Sequence, residues 1–341
     1  MCGIAGVKRF GNSPITLDEI RVLLASLEHR GTDATGIALM AGNQIDVHKN
    51  DDAAWRYITS KGFTTFIEEK LTDQVDTVIL HTRASTCGNP RENKNNHPLT
   101  LGGAAIVHNG MIGNHIDVFK ELKVERSAET DSDAIRAVVD VYGITMDAIK
   151  AMRKLEGSIA AACIDPRYPG KLMLLRSGSP LTMAHVGDKL MWASEKSAIH
   201  RAARPWGMVR NFWVQTEEVP VQWCATPVDT AMIIGPEGLE VHAEFKTCRY
   251  YTTPDYTKQR RDYSSRQARW DRDLNSKDVA TFIQRVDRGV NVSYYLCRNP
   301  QCTAHNFIVE KIKHLPLTKV SCHKCGWSLE KDTTKVEAAT V

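Results

Sequence analysis

The sequence of 341 residues lacks the features that mark membrane, secreted and fibrous proteins. No apolar run approaches the roughly 18 residues of a membrane-spanning helix, so no membrane association is expected. The N-terminus has neither the basic segment nor the apolar core of a signal peptide. Nine cysteines are too sparse for a disulfide scaffold in a chain of this length. These absences favour a globular protein of the reducing cytoplasm.

Charge is distributed unevenly, although the formal net charge is only +4. Residues 1–245 contain 26 basic and 30 acidic side chains, whereas residues 246–341 contain 18 basic and 10 acidic ones. The first part is therefore acidic and the second basic. Such asymmetry often reflects a different partner for each part of a chain.

Short apolar runs alternate with amphipathic segments from residue 3 to about residue 243. The runs long enough for buried strands are Ile4–Val7, Val78–His81, Ala104–Val107, Ile159–Ile164, Leu172–Leu175 and Ala231–Ile234. Helical periodicity is found in Leu17–Leu27, with Thr16 or Asp18 as N-cap, and in Ser132–Val141 and Met146–Leu155. Strands grouped before and between helices predict a layered α+β domain.

Cys2 becomes the first residue when Met1 is removed, and a small second residue favours that removal. A terminal cysteine combines a nucleophile with a base, because its α-amino group, with an ordinary pKa of about 7.7–8.0, can accept the thiol proton. A cysteine near a terminus is by itself more often buried or incidental. The assignment of a nucleophile therefore depends on other segments.

Three other segments carry groups suited to binding an amino acid. Arg83 ends a strand-like run, and its planar guanidinium suits a substrate carboxylate. The amide of Asn109 and the backbone N–H of Gly110 can face a developing oxyanion, although Asn-Gly is also common in hairpin turns. Asp131 precedes a predicted helix, where it either caps the helix or binds a substrate ammonium.

Seven motifs then occur in the order and at the approximate spacing of one enzyme family. They are Met1–Val7, Leu27–Ala38, His81–Arg83, Asn96–Pro98, His108–Gly110, Glu129–Asp131 and Arg176–Leu181. Together they resemble the class II glutamine amidotransferase domain, an N-terminal-nucleophile hydrolase. They are most similar to the glutaminase domain of glucosamine-6-phosphate synthase, and next to that of amidophosphoribosyltransferase. The resemblance covers about residues 2–243 and implies a four-layer αββα sandwich.

The resemblance also implies roles for the matching residues. Cys2 attacks the side-chain amide of glutamine, with its own amino group as base and then acid, and hydrolysis requires no cofactor. Asn109 and the Gly110 N–H form the oxyanion hole. Arg83 binds the α-carboxylate of glutamine, and Asp131 binds its α-ammonium.

Further matching residues have supporting roles. Thr86 and His97 line or brace the pocket, and Arg30, Gly31 and Asp33 support the wall beside the nucleophile. The resemblance therefore predicts a substrate that is a zwitterion bound at both ends, which distinguishes glutamine from the amides cut by other cysteine hydrolases of this type.

Two positions on the loop that closes over glutamine differ from the family. Ala84 replaces the large aromatic residue usual in the synthases, and Cys87 replaces a His or a small residue. Residues after 243 also resemble none of the isomerase, phosphoribosyltransferase or synthetase domains that consume ammonia, and no Walker-type loop is present. We therefore expect ammonia to reach an acceptor on a separate partner enzyme, for instance one that modifies a nucleotide or nucleic acid.

Four of the cysteines form the pattern Cys-x4-Cys, 19 residues, Cys-x2-Cys: Cys297, Cys302, Cys322 and Cys325. Four thiolates suit a tetrahedral structural Zn²⁺, whose binding supplies folding energy to a small module. His305, His314 and His323 are alternative ligands, and two disulfides are the alternative to a metal. The Cys297–Cys302 knuckle is similar to small zinc fingers of bacteriophage late-transcription activators, so a phage-encoded protein acting in the host cytoplasm is one hypothesis.

Residues 246–290 contain 11 basic and 6 acidic side chains interleaved with Tyr and Trp. We predict an amidotransferase domain at 2–245, this basic arm at 246–290, a zinc ribbon at 291–329 and a frayed tail at 330–341. Residues 246–329 are a candidate nucleic-acid surface, and a solvated arm or a strip that docks an acidic protein is an equal alternative. Competing functions are a binding factor that uses the amidase fold as a scaffold, and an acylase for another amide.

Overall fold

The computed structural model describes residues 1–203 and 219–247, and the backbone of seven further strands between residues 206 and 330. The chain divides into two units, Met1–Tyr251 and Thr252–Val341. The first unit contains every residue that the sequence predicts for the glutamine site.

The strands of the first unit follow in chain order. They are β1 (Gly3–Arg9), β2 (Ala34–Ala41), β3 (Gln44–Asn50), β4 (Thr77–Arg83), β5 (Leu99–Leu101), β6 (Ala104–Ile112), β7 (Gly157–Ile164), β8 (Leu172–Ser177), β9 (Thr182–Val186), β10 (Lys189–Ala193), β11 (Trp206–Val209), β12 (Phe212–Gln215), β13 (Val221–Cys224), β14 (Thr230–Gly235) and β15 (Gly238–Glu244). The helices are α1 (Leu17–Leu27), α2 (Ala54–Tyr57), α3 (Lys61–Lys70), α4 (His115–Leu122), α5 (Asp133–Tyr142), α6 (Met146–Met152) and α7 (Lys196–Ala202), with 3-10 turns at Glu28–Arg30 and Asn93–Asn95.

These strands form two large antiparallel sheets. The seven-stranded sheet has the order β13-β9-β10-β1-β4-β2-β3, and the six-stranded sheet has the order β15-β14-β8-β7-β6-β5. Within the described part of the chain, strands β11 and β12 pair with each other and with no further strand. Strands β1 and β7 are thus flanked by neighbouring strands on both sides, and most of their residues are buried.

Side chains of β7 alternate between two hydrophobic clusters, as the twofold period of a strand requires. Ile159, Ala161 and Cys163 pack toward α5 and α6, whereas Ala160 and Ala162 pack toward the other sheet. In the seven-stranded sheet, residues on the opposite face pack against α1, α3 and α7. Three clusters therefore separate four layers, and the predicted αββα sandwich is confirmed.

Helix α1 begins where the sequence predicts, with Thr16 as its N-cap. The Thr16 hydroxyl accepts the Glu19 N–H at 3.2 Å, and Glu19 Oε2 accepts the Thr16 N–H at 2.7 Å. This reciprocal capping box satisfies two donors that the first turn would leave unpaired. Glu19 also accepts Lys189 Nζ at 2.8 Å, which ties the helix start to β10.

We expect Thr16→Ala to lower the free energy of unfolding by about 1 kcal/mol, because one capping acceptor is lost. Urea denaturation with unchanged m-value measures this loss. Thr64→Ala is the comparison, since the Thr64 hydroxyl only back-bonds to the Ser60 carbonyl within its own helix. An equal loss in both variants would contradict a specific role of the cap.

The second unit contains two small antiparallel sheets in its described part. One consists of β16 (Arg285–Asp287), β17 (Val290–Leu296) and β18 (His305–Glu310), and the other of β19 (Lys319–Ser321) and β20 (Ser328–Glu330). Strand β16 falls within the range predicted as the arm. The four predicted zinc ligands Cys297, Cys302, Cys322 and Cys325 lie outside the described residues. Within the part of the chain that the structure describes, no helix is long and apolar enough to cross a bilayer.

Candidate active site

Cys2 lies at the end of the sandwich where β1 begins and β4 ends. Gly3 of β1 pairs with Thr82 of β4, which places Cys2 beside the end of β4. The Cys2 thiol lies 3.6 Å from the Ala84 carbonyl oxygen, to which it donates. Burial raises the pKa of this thiol, while the Ala84 backbone, the N-terminal ammonium and Arg83 act in the opposite direction. The thiol is therefore held in a largely desolvated position with a cation close by.

Arg30 fixes the backbone of the candidate nucleophile. Its Nε donates to the Cys2 carbonyl at 2.9 Å, and its Nη1 donates to Glu195 Oε1 at 2.9 Å. The neighbouring Gly31 packs so tightly that a Cβ there would lie 2.2 Å from the Arg83 carbonyl carbon. Arg30 and Gly31 are thus in contact with the wall that the sequence predicts they support.

Glu195 has no predicted role, yet it is the partner that orients Arg30. Hydrogen bonds from His29 and Arg30 lower the pKa of Glu195 to about 2, although burial acts in the opposite direction. A carboxylate whose pKa is lowered on folding stabilises the protein above its unfolded pKa of about 4.3. That contribution is lost as the pH falls from about 5 toward 2.

We expect Glu195→Gln to lower the free energy of unfolding by about 1–2 kcal/mol at pH 7. Between about pH 5 and 2, the free energy of unfolding of this variant should decrease less with falling pH than that of the wild type. Urea denaturation at a series of pH values measures both effects. Glu92→Gln is the matched control, because the Glu92–Lys94 pair is exposed, and exposed pairs contribute little. Parallel pH profiles for Glu195→Gln and the wild type would contradict the assignment.

Arg83 is 3% exposed and anchors the loop that follows β4. Its Nη1 donates to Asn96 Oδ1 at 2.6 Å, and its Nη2 donates to the carbonyl oxygens of Cys87 and Gly88 at 2.5 and 2.9 Å. The Cys2 thiol and Asp131 both contribute to the electrostatic potential at this guanidinium. Arg83 is therefore preorganised, and it lies within electrostatic range of both Cys2 and Asp131.

The loop between Ala84 and Asn96 is held from two sides. Asp33 Oδ2 accepts the Ser85 N–H at 2.7 Å, and the Asp33 N–H donates to the Arg83 carbonyl at 2.9 Å. On the other side, Asn95 Nδ2 donates to Glu129 Oε2 at 3.0 Å, and Asn95 Oδ1 accepts the Glu129 N–H at 2.8 Å. Asp33 thus holds the start of the loop, while its predicted support of the wall beside the nucleophile stays a prediction.

Thr86 and Cys87 occupy the outer part of this loop, and both are exposed. The Cys87 thiol lies 3.5 Å from the Glu129 carbonyl oxygen. A thiol is a weak donor, so the backbone carbonyl of Cys87, which accepts from Arg83, matters more to the loop than its side chain.

Asn109 and Gly110 lie within β6, paired with Ala160 and Ile159 of β7. The strand continues to Ile112, so Asn-Gly does not form a hairpin turn here. The Asn109 side chain is 3% exposed, and its amide nitrogen Nδ2 has no hydrogen-bond partner among the described residues. Such an orphaned buried donor is costly unless it serves a ligand. It is the donor that an oxyanion hole requires.

Gly110 permits a close approach that no other residue allows. Its φ is +153°, and a Cβ at this position would lie 1.9 Å from the Ser158 carbonyl oxygen. The backbone of β6 can therefore reach its position against β7 only with glycine, beside the unpaired Asn109 amide.

Three buried histidines pack next to one another at β6, and one of them, His108, belongs to that strand. The rings of His81 and His97 stack at 4.2 Å, His81 Nε2 contacts the His108 carbonyl at 3.1 Å, and His108 Nδ1 contacts the Ser132 hydroxyl at 2.8 Å. Burial lowers the pKa of all three, that of His81 to about 3, so they are neutral at pH 7. His97 is thus buried against His81, with 4% of its surface exposed.

Asp131 lies two residues before α5 and is fixed by β6. Its Oδ2 accepts the Ile112 N–H at 2.6 Å. The N-cap residue of α5 is Ser132, which makes no side-chain cap hydrogen bond. Asp133, the first helical residue, accepts from the Ser127 and Ala128 N–H groups and from Arg136. The Asp131 carboxylate also raises the pKa of the Cys2 thiol, in the same direction as burial.

The structure thus brings Cys2, Arg83, Asn109, Gly110 and Asp131 to one end of the two sheets, with Arg30, Gly31 and Asp33 around them. Sequence reasoning missed Glu195, Asn96 and Glu129, which hold these residues in place. Asn96 and Glu129 lie within the motifs Asn96–Pro98 and Glu129–Asp131, and this position in the sequence could have identified them. Glu195 contacts Arg30 across 165 positions of sequence, and nothing local marks it.

A sequence profile of the glutamine amidotransferase domain matches residues 81–201. The glutamine–fructose-6-phosphate aminotransferase (isomerizing) of Gluconobacter oxydans is 32% identical over 253 residues, which cover 71% of this chain and 38% of that protein. The Thermotoga maritima enzyme of the same name is 33% identical over 196 residues, which cover 55% and 30%. The first unit is a class II glutamine amidotransferase domain.

Solved structures agree with this domain at the level of fold. The glutamine phosphoribosylpyrophosphate amidotransferase of B. subtilis, complexed with ADP and GMP, has a TM-score of 0.53 and 19% identity, covering 72% of this chain and 49% of its own. A structure described as the allosteric regulatory enzyme of purine biosynthesis has a TM-score of 0.54 and 17% identity over the same shares. The predicted family of the amidotransferase domain is confirmed. The chain spans 38% or less of the curated relatives described above.

Proposed function

We propose that the amidotransferase domain hydrolyses the side-chain amide of glutamine through a thioester on Cys2 and releases ammonia. The observation that carries the proposal is the unpaired, buried Asn109 Nδ2 at the same end of the sandwich as Cys2, Arg83 and Asp131. A buried donor without a partner, near a desolvated thiol, fits a site that stabilises a transient negative charge.

Substrate recognition follows from the opposite charges of Arg83 and Asp131. Arg83 is held by Asn96 and two loop carbonyls, so its guanidinium is already ordered when it binds a substrate carboxylate. Asp131 is held by the Ile112 N–H and offers its remaining oxygen to an ammonium. Two such groups select an α-amino acid over an amide that lacks either charge.

The reaction proceeds in two balanced halves. The Cys2 sulfur bonds to the side-chain carbonyl carbon, and the carbonyl electron pair moves to the oxygen beside Asn109 and Gly110. The thiol proton passes to the α-amino group of Cys2 and then to the leaving nitrogen, so the C–N bond breaks and ammonia departs. Water then adds to the thioester, the C–S bond breaks, and glutamate and the thiol are formed.

The direct test incubates the purified full chain with glutamine and measures glutamate and ammonia, after mass spectrometry has shown that Met1 is absent. We expect equal amounts of the two products. A glutamine analogue that bears an electrophile at the side-chain carbonyl should attach to the peptide that begins with Cys2. If protein without Met1 released no glutamate, the proposal would fail. Equal activity on an amide without an α-carboxylate would instead favour the acylase.

We propose that the ammonia is used by an acceptor on a separate partner enzyme, for instance one that modifies a nucleotide or nucleic acid. The support is the sequence after residue 247, which resembles no ammonia-consuming domain. Affinity purification of the full chain from its native host tests this. An ammonia-consuming enzyme that co-purifies at constant stoichiometry would support the proposal, and its absence after chemical cross-linking would contradict it.

For the second unit we propose a structural Zn²⁺ held by Cys297, Cys302, Cys322 and Cys325. In sequence, the first pair lies between the paired strands β17 and β18, and the second pair between β19 and β20. Elemental analysis of the full chain should find one zinc per chain, and Cys322→Ser should reduce this content without affecting glutamate release. Full zinc content in that variant would contradict the four-cysteine site.

A nucleic-acid-binding function for residues 246–329 is the second candidate, favoured by the net charge of +8 on residues 246–341. Binding of the full chain to single-stranded DNA should then weaken steeply with salt. Absence of binding at low salt would leave the protein-docking interpretation of the arm.

A further inference from the structure

A cavity of about 430 Å³ is lined by ten described residues, which include Arg176, Ser194, Lys196 and Trp223. Ala160 of β7 pairs with Asn109 of β6 on one side and with Arg176 of β8 on the other. Residues in register point to the same face of a sheet, so Arg176 lies two strands from Asn109, about 10 Å away. Arg176 lines the cavity, whereas none of the residues proposed to bind glutamine does.

The cavity shares a wall with the segment that carries the nucleophile. Ser194, which lines it, accepts the Ile4 N–H at 3.0 Å through its hydroxyl, and its own N–H donates to the Ile4 carbonyl at 2.8 Å. Ile4 is two residues from Cys2. Two hydrogen bonds therefore connect the cavity lining to the strand that follows the nucleophile.

The charged side chains that line the cavity in the described part of the chain are positive. Among the ten residues that line it in the described part of the chain, Arg176 and Lys196 are basic and none is acidic. The other polar groups of the lining are the hydroxyls of Thr182, Ser194 and Thr226. Basic groups and hydroxyls without a carboxylate suit an anionic ligand rather than a cation.

Arg176 is fixed but incompletely paired. Its Nη1 donates to the Thr226 carbonyl oxygen, which orients the guanidinium, while its Nε is buried with no hydrogen-bond partner among the described residues. Because this hydrogen bond occupies one nitrogen, the guanidinium retains further N–H donors for an oxyanion in the cavity that Arg176 lines.

Lys196 supplies a second cation from the start of α7. Its ammonium lies 5.1 Å above the ring of Trp223, and the ring of His200 contacts Trp223 edge-on at 5.0 Å. The cation–π contact places the ammonium on the cavity side of β13 without neutralising it. Trp223, which also lines the cavity, is 36% exposed and reports on its occupancy.

We propose that this cavity binds a small phosphate-bearing molecule, with Arg176 and Lys196 on the phosphate and the hydroxyls of Thr182 and Ser194 beside it. Two cations from separate elements match the charge of a phosphate monoester better than that of a single carboxylate. The volume exceeds that of inorganic phosphate and leaves room for a small organic group. The site goes beyond glutamine hydrolysis, and its occupancy is measured without that reaction.

Calorimetric titration of the full chain with three compounds that share a three-carbon skeleton tests the ligand class. The probes are glycerol 3-phosphate, the carboxylate glycerate and uncharged glycerol. We expect binding of glycerol 3-phosphate only, accompanied by a change in tryptophan fluorescence that disappears in Trp223→Phe. Equal affinity for glycerate would overturn the phosphate assignment, and no binding of any probe up to about 10 mM would overturn the site.

Variants then locate the binding. Lys196→Gln and Arg176→Gln are each expected to weaken glycerol 3-phosphate about tenfold or more, which corresponds to 1.4 kcal/mol. Lys120→Gln on α4 is the matched control, because Lys120 is exposed and pairs only with Asp117. Lys196 is also exposed, so Lys196→Gln should have the melting temperature of the wild type, whether or not Arg176→Gln is destabilised. Unchanged affinity in Lys196→Gln would contradict the proposal.

Discussion

Replacement of Cys2 by Ala is expected to reduce glutamine hydrolysis by at least about 10⁴-fold, because removal of a covalent nucleophile leaves only binding and the oxyanion donors. The backbone of residue 2 is held by Arg30 Nε, and that bond does not involve the thiol. The variant should therefore fold and still bind glutamine. Glutamate release under saturating glutamine measures the loss of kcat, and calorimetry measures the retained binding.

Two other cysteines provide controls for this result. Cys224→Ala removes a half-buried thiol far along the chain, and we expect its activity to stay within about twofold of the wild type. Cys87→Ala tests the loop position that departs from the family, and its activity should also be retained, because the bond to Arg83 comes from the backbone carbonyl. Loss of activity in Cys87→Ala equal to that in Cys2→Ala would reassign the nucleophile.

The pH profile of the wild type follows from the same site. Burial raises the pKa of the Cys2 thiol, so the thiolate fraction increases with pH through and above neutrality. We expect the rate of labelling by an electrophilic glutamine analogue to rise on that alkaline side. Protein that retains Met1 should label more slowly, because its amino group belongs to residue 1 and not to the nucleophile.

The layers of this fold follow from sequence because inner strands of both sheets, such as β4 and β7, are buried on two faces. Runs such as Ile159–Ile164 are apolar at every position, and alternate residues enter different clusters. The capping box of α1 is equally local. The order of the strands is not predictable in this way, since β1 pairs with β10 and Ile4 meets Ser194 across 190 positions.

The residues of the candidate site show the same difference between local sequence signals and contacts that are distant in sequence. Arg83, Asn109 and Asp131 were identified because motifs of three residues mark them. The partners that orient them are separated in sequence: Glu195 acts on Arg30, and Asn96 holds Arg83. Their contribution depends on loop conformation and on strand order. A sequence motif therefore predicts which groups react, whereas the fold determines what holds them.

Replacement of Asn109 by Ala is expected to lower kcat for glutamine about 10²–10³-fold with little change in KM, which is the usual effect of removing one oxyanion donor. The Asn109 amide nitrogen has no partner in the described part of the molecule, so its removal breaks no internal hydrogen bond there. Folding should therefore be retained. Gly110→Ala is a less informative variant, because its Cβ would lie 1.9 Å from the Ser158 carbonyl oxygen and disturb the pairing of β6 with β7.

Asn114→Ala is the matched control for Asn109, because its amide bonds to the Lys154 carbonyl and the Glu156 N–H and serves only the local backbone. We expect Asn114→Ala to lose stability and keep kcat, whereas Asn109→Ala keeps stability and loses kcat. A raised KM with unchanged kcat in Asn109→Ala would mean that the amide binds the ground state of glutamine. Since only interactions stronger in the transition state raise kcat, that result would remove Asn109 from the oxyanion hole.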